Sequence, residues 1–417
     1  MPSPDLSSVR SRFPALAREL DGRPCVFVDA PGGSQVPETV IEAMAEYLRR
    51  SNANLGGAFA TSQESDALVA EARRSVAAFT GADADEIVFG PNATTLLFAL
   101  SRSVARELGP GDEVLVTTLD HDANITPWVM AAEDAGATVR TVDIRDEDVT
   151  LDRDSFDSAL SERTKVAAFT LASNAVGTVT PAADLVLRIR ERAPRAIVAV
   201  DGVHQAQHRP LNLNALGADV LVCSPYKFFG PHLGILAARR DLLERLRPYK
   251  VRPAEDTVPE RWETGTKNHE GLAGLVAAVE YLASLGDGFG APAGPSLRER
   301  VRAGMDAVRA YEHALSERFL RGVREVPGLR LWGIGEPERV DERTPTFAVR
   351  LGDRHPSETA KELGERGIFV WDGHYYALAL MERLGLEESG GAVRIGFCHY
   401  NSTAEVDRVL EELAALA

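Results

Sequence analysis

A chain of 417 residues, 44% of them hydrophobic, is long enough to bury a large core and to form two or three domains, or one large domain with a smaller companion. Its 62 acidic against 46 basic residues leave a net charge of −16, which argues against a nucleic-acid binder, because nucleic acid is engaged through clustered Lys and Arg; a small-molecule substrate is expected instead. The three cysteines, Cys25, Cys223 and Cys398, have no paired spacing of the kind that builds a zinc or disulfide framework, so no metal site is expected and a reducing compartment fits.

In chain order, the N-terminal MPSPDLSSVRSRFPAL lacks a continuous apolar region, and nowhere do about eighteen apolar residues follow one another. A soluble, cytoplasmic protein without a membrane partner is therefore expected. Residues 64–80 carry apolar side chains at helical spacing and stop at Gly81, a good C-terminal cap. From there to about residue 246, helical stretches alternate with seven short apolar runs: EIVFG, DEVLVT, ATVRTVDI, KVAAFTLAS, AIVAVD, ADVLVCS and GILAAR. The runs show little internal alternation, as strands covered on both faces do, and predict an α/β domain with a mainly parallel seven-stranded sheet. Residues 286–296, GDGFGAPAGPS, read as a linker or surface loop. A long helix over 297–323 follows, then strand-like TPTFAVRL, GIFVWDG and GAVRIGFC with helices near 357–366 and 404–415, which predict a smaller α+β C-terminal domain. The expected division is 20–285 for the large domain, and 1–19 with 297–417 for the small one.

Ligands of open parallel sheets bind at the carboxyl ends of the strands, so the residues ending each run come first. After EIVFG, Pro91-Asn92-Ala93-Thr94-Thr95 opens a helix: either an ordinary cap or a phosphate cradle of free N–H groups. Asp201 ends AIVAVD; a buried carboxylate needs a positive partner such as a protonated pyridine nitrogen, though a helix cap fits the residue as well. After ADVLVCS, Lys227 stands in PYKFFGP, and apolar surroundings would lower its pKa and make the amine a nucleophile for a carbonyl. A snorkelling surface lysine is the competing reading. The three features in this order match the demands of pyridoxal phosphate.

The wording FVDAPGGSQVP, VFGPNATT, LDHDANITPW, LASNAVGT, VDGVHQ, CSPYKFFGP, WETGTKN and GAVRIGFCHYN resembles the class V aminotransferase family of fold-type I pyridoxal 5'-phosphate enzymes, over nearly the whole chain. Within it, the cysteine desulfurase and selenocysteine lyase branch is the nearest in pattern. The resemblance implies that Lys227 is the Schiff-base lysine, that Asp201 pairs with the pyridine nitrogen and that His121 stacks on the ring. It further implies that Asn174 and His204 sit near the phenolic oxygen, that Ala93, Thr94, Ser224 and Tyr226 hold the phosphate, and that Thr266 reaches it from the second subunit of a homodimer. Arg394 is the counterpart of the arginine that grips the substrate carboxylate, and Gly33 is placed beside the substrate.

His204 stands where many relatives carry Gln, and Tyr226 where a phosphate-binding His is usual; both can still donate a hydrogen bond. In the desulfurases a loop before the final strand carries the cysteine that takes the sulfur, whereas here GIFVWDGHYYALAL places Tyr376 near that position. A phenol with a reference pKa of about 10 cannot take a persulfide as a thiolate does, and the three cysteines read as structural. WDGHYY is either core packing or, as preferred here, the lining of the substrate mouth by Trp371, His374, Tyr375 and Tyr376. The expected activity is at the alpha carbon of an amino acid: elimination of a beta substituent of the carbon–sulfur type, with transamination or epimerisation as the alternative and a non-catalytic cofactor-binding partner protein as the least favoured reading.

Overall fold

A computed structural model describes residues 6–291 and 294–417. Residues 1–5 of the N-terminal reading and 292–293 of the predicted linker lie outside the described residues. A small hairpin, β1 (Glu19–Leu20) and β2 (Arg23–Pro24), leads into β3 (Val26–Phe27). Then come β4 (Ile87–Gly90), β5 (Glu113–Thr117), β6 (Thr138–Val142), β7 (Thr164–Thr170), β8 (Ile197–Asp201), β9 (Val220–Cys223) and β10 (Gly234–Ala238). These seven are the seven predicted runs, and they form one sheet in the order β4-β10-β9-β8-β7-β5-β6, with only β10 antiparallel to its neighbours.

The lack of alternation in the runs has a direct cause. Along each central strand, successive side chains enter two different cores: Ala167, Phe169, Val198 and Val200 on one face, Val166, Ala168, Ile197 and Ala199 on the other. The edge strand β6 departs from this pattern, since Thr138, Arg140 and Thr141 are exposed. As the edge strand, β6 has a neighbouring strand, β5, on one side only.

Five further strands complete the chain: β11 (Leu329–Trp332), β12 (Thr346–Leu351), β13 (Ile368–Phe369), β14 (Trp371–Gly373) and β15 (Ala392–Gly396). Four of them make an antiparallel sheet, β11-β12-β15-β14. The predicted run GIFVWDG is two strands, because β13 pairs in parallel with β3 while β14 pairs with β15. Val26 and Val28 accordingly sit in the C-terminal core with Phe319, Phe347 and Ile395. We propose the two-unit division that the sequence predicts, with the N-terminal segment shared between the units: Val9, Phe13 and Leu16 pack in the core of the large sheet and Val26 and Val28 in the C-terminal core.

The helix Ala60–Thr80 ends at Gly81, whose φ of 72° is the left-handed cap expected of it. The predicted linker is shorter than its composition suggests, since helix His269–Gly288 runs through Gly286. Its neighbour Leu297–Gly322 crosses it closely: a Cβ on Gly304 would collide with the Leu282 carbonyl, so the glycines there serve helix contact. No helix among the described residues is long and apolar enough to cross a membrane.

Candidate active site

Because β4, β5, β7, β8 and β9 run in one direction, their carboxyl ends open onto a single edge of the large sheet. There Asn92, Ala93, Thr94, His121, Asn174, Asp201, His204, Ser224, Tyr226 and Lys227 line one cavity. Every predicted cofactor residue except Thr266 is therefore brought together. Thr266 is exposed and lines a separate pocket with His232, Glu263 and Asn268.

Lys227 follows β9 in a tight turn opened by Pro225, and its side chain is buried. Burial, helped by the charge of Arg394, lowers its pKa to about 7, against the opposing pull of Asp201. The amine donates to the carbonyl of Pro31, so the loop after β3 holds the free lysine in place. Asp201, the last residue of β8, accepts from the Val203 N–H at 2.8 Å. Burial raises its carboxyl to about 6, a price only partly offset by that hydrogen bond and by Lys227. Next to it, the helix Ala93–Val104 points its first turn at the cavity; Asn92 caps Thr95 N–H at 2.8 Å, and Ala93 N–H donates to Ser224 Oγ at 3.3 Å.

His121 accepts from Ala123 N–H through Nδ1 at 3.0 Å, and burial together with Lys227 and Arg394 depresses its pKa to about 4, so the imidazole is neutral. Asp120 beside it is fully buried, receives Thr117 Oγ and Asn124 Nδ2, and is pushed up to about 8 by desolvation. Sequence reasoning missed Asp120, although a carboxylate directly before His121 at a strand end was a visible signal; it also missed Pro31, whose contribution is a backbone carbonyl without any side-chain signature.

Arg394 comes from β15 in the other sheet. It is buried, donates to the Asn174 carbonyl at 2.9 Å and packs its guanidinium 4.4 Å from the Tyr375 ring centre. Its register partner across the strands is Trp371. Cross-strand partners share a face, so both point to a larger outer cleft lined also by Gly32, Phe98, His121, Lys227, His374, Tyr375 and Tyr376. Gly32 lines this cleft, and a Cβ on it would run into the Trp371 indole, while Gly33 lies against the Tyr226 ring.

Tyr375 and Tyr376 both hold left-handed backbone, φ 53° and 57°, a conformation that costs roughly 1–3 kcal/mol each and persists only when contacts over-determine it. Four do so: Asp122 N–H to Tyr376 O at 2.6 Å, Tyr376 N–H to His374 Nδ1 at 3.0 Å, Asn174 Nδ2 to Tyr375 O at 2.9 Å, and Tyr375 OH to Ala392 O. The turn throws Tyr376 outward, 68% exposed, with its ring stacked on His121 at 5.5 Å. The Tyr375 hydroxyl is turned away from the cleft and only its ring and carbonyl serve the site. His204 also differs in detail, since its Nε2 is engaged by Thr344 and Thr346 hydroxyls at 3.2 and 3.0 Å. Cys25, Cys223 and Cys398 are all at most 1% exposed, and none lines the cavity or the cleft.

The sequence matches the family model "Aminotransferase class-V" over residues 26–288 and 296–409. It is 34% identical to a probable cysteine desulfurase of Streptomyces coelicolor over 98% of this chain and 96% of that protein. A cysteine desulfurase of Pectobacterium atrosepticum is 31% identical, over 98% and 97%. Among solved structures, a cysteine desulfurase from Thermococcus onnurineus superposes with a TM-score of 0.87 at 26% identity, covering 100% of this chain and 98% of the other. A cysteine desulfurase from Escherichia coli gives 0.82 at 25% identity, covering 98% and 97%.

Proposed function

The chain belongs to the class-V aminotransferase family, and we propose that this pyridoxal-phosphate-dependent enzyme is a lyase that eliminates a sulfur substituent from the beta carbon of an amino acid. One observation carries the reading: the buried amine of Lys227 and the buried carboxylate of Asp201 share a single cavity with His121 and the first turn of helix Ala93–Val104. The relatives named as cysteine desulfurases support the reaction type.

Atoms of this chain fit pyridoxal phosphate. Asn174 Oδ1, His204 Nδ1 and Arg394 Nε are buried without a hydrogen-bond partner, a state that costs about 1–3 kcal/mol per group unless a ligand completes it. The first turn of helix Ala93–Val104, with Ser224, would hold the phosphate. Asp201 would keep a proton on the ring nitrogen, and the raised pKa of that carboxyl in the free protein is the desolvation cost which such a cation relieves. Asn174 and His204 would stand at the phenolic oxygen, Tyr226 near the phosphate, and His121 against the ring face. When bound, the cofactor supplies an aldehyde for the substrate amine and an electron sink for the alpha carbon.

What the protein adds is position and proton traffic. Arg394 receives the substrate carboxylate with its planar fork, fixing which bond at the alpha carbon faces Lys227. Lys227, neutral above about pH 7, takes the alpha proton. The neutral His121 excludes water from one side without adding a competing charge. A second copy of the chain would bring Thr266 to the phosphate, so we infer a homodimer.

The experiment is a panel of amino acids given to the purified holoenzyme. Pyruvate and a released thiol or sulfide are expected. Conversion of the bound cofactor to its amine form, with a requirement for a keto acid, would instead establish transamination, and loss of optical activity alone would establish epimerisation. If Lys227→Ala kept the visible absorbance band of the wild type, the cofactor assignment itself would be wrong.

A further inference from the structure

The elimination proposed above leaves open what the sulfur carries, and the outer cleft bears on that. An enzyme that takes sulfur from free cysteine onto itself needs a thiolate within reach. Here Cys25, Cys223 and Cys398 are buried away from both cavity and cleft, and burial raises the Cys223 and Cys398 thiols above their ordinary range. The outer cleft instead carries several flat groups beside its polar ones. Trp371 is 49% exposed, lies against the bare backbone of Gly32 and faces the same side as Arg394. Tyr376 is presented by its strained turn with one face on His121. Phe98 lines the same cleft.

We propose that the substrate is a cysteine S-conjugate whose sulfur carries an aromatic or heteroaromatic ring, held by Trp371 and Tyr376. The proposal rests on the lyase reading and names the substrate class of that site. Aromatic walls of this kind reward a flat group through stacking and buried area, whereas a bare thiol leaves them wet. The leaving-group chemistry agrees. His121 is neutral and its pKa is low, so it is a poor source of a proton for a departing sulfur. An aryl thiolate departs readily without one, because leaving ability rises as the thiol's pKa falls. In the step, Lys227 removes the alpha proton and the Cβ–S bond breaks with its electron pair on sulfur, which then takes a proton from water. The released 2-aminoacrylate hydrolyses. One conjugate and one water thus give an aryl thiol, pyruvate and ammonium, with no oxidant or reductant required.

The test compares L-cysteine, S-methyl-L-cysteine and S-phenyl-L-cysteine with the holoenzyme, following pyruvate and thiol. It adds ligand-induced quenching of tryptophan fluorescence in the Lys227→Ala protein, with Trp371→Phe as the reference for which indole responds. The expected result is a kcat/KM for S-phenyl-L-cysteine at least about tenfold above the other two. Quenching should come from the phenyl conjugate and be lost in Trp371→Phe. Trp371→Ala and Tyr376→Ala should raise KM for the phenyl conjugate several times more than for the methyl one. Pyruvate formed equally well or better from cysteine would overturn the substrate class while leaving the lyase reading standing. Pyruvate from none of the three, at any concentration, would overturn both.

Discussion

Lys227 and Arg394 are brought to one site from two sheets; burial lowers the pKa of both, and the charge of Arg394 lowers that of Lys227 further. The consequence for Lys227 has a definite sign. With a pKa lowered to about 7, the amine is mostly ammonium below that pH and mostly nucleophile above it. The rate at which cofactor-free protein takes up pyridoxal phosphate, followed by stopped-flow absorbance, should therefore climb with pH and level off above about 7. An ordinary exposed lysine would keep climbing past about pH 9. Arg394→Ala removes a charge-assisted carboxylate contact, which corresponds to about a 10–100-fold rise in KM for amino-acid substrates. Steady-state kinetics with one good substrate would check this, and an unchanged KM would take Arg394 out of the carboxylate site. At this scale the sequence was informative because Asp201 ends a strand, and Lys227 and His121 closely follow one, that their own neighbours define. The hydrogen-bond directions were not legible: His204 Nε2 faces Thr344 and Thr346, and the Tyr375 hydroxyl faces Ala392, as only packing could decide.

Elements are held in register by a few buried polar ties and close helix contacts. Arg73, in helix Ala60–Thr80, forms a two-pronged pair with Glu263, which also accepts from Phe89 N–H at 2.8 Å and from Lys267 at 2.9 Å. Both Arg73 and Glu263 are buried. Glu263→Ala would leave Arg73 only the more exposed Glu260 at 3.3 Å and the Ile87 carbonyl, and is expected to destabilise the fold by up to about 3–5 kcal/mol, measured by denaturant unfolding. Because Glu263 anchors the segment that ends at Asn268, it should also reduce cofactor retention in proportion. The crossing of helices His269–Gly288 and Leu297–Gly322 makes a second prediction. Gly304→Ala forces them apart and should cost about 1–3 kcal/mol, with little effect on kcat of the folded fraction. The composition of 286–296 suggested a loop beginning at Gly286, since glycine disfavours helix locally; close helix contact overrode that preference.

For the whole molecule, the separation of Thr266 from the cavity is the informative feature. If Thr266 of a second copy completes the phosphate site, Lys227→Ala and Thr266→Ala chains should complement one another. A mixed dimer has one site with both residues intact, so random mixing of dissociated chains should restore about a quarter of wild-type activity over the parents. Activity that merely averages the two parents would remove Thr266 from the partner's site. The sequence by itself determined the seven-stranded sheet and the residues that end its strands. Buried runs and the polar residues that stop them are properties of neighbours in the chain. Only the tertiary structure decided that Arg394 and Trp371 face Lys227, that Pro31 holds the free amine, and that Tyr376 lies on His121. These contacts join segments far apart in the chain, and their geometry follows from how the sheets and the turns beside them pack, which no local pattern records.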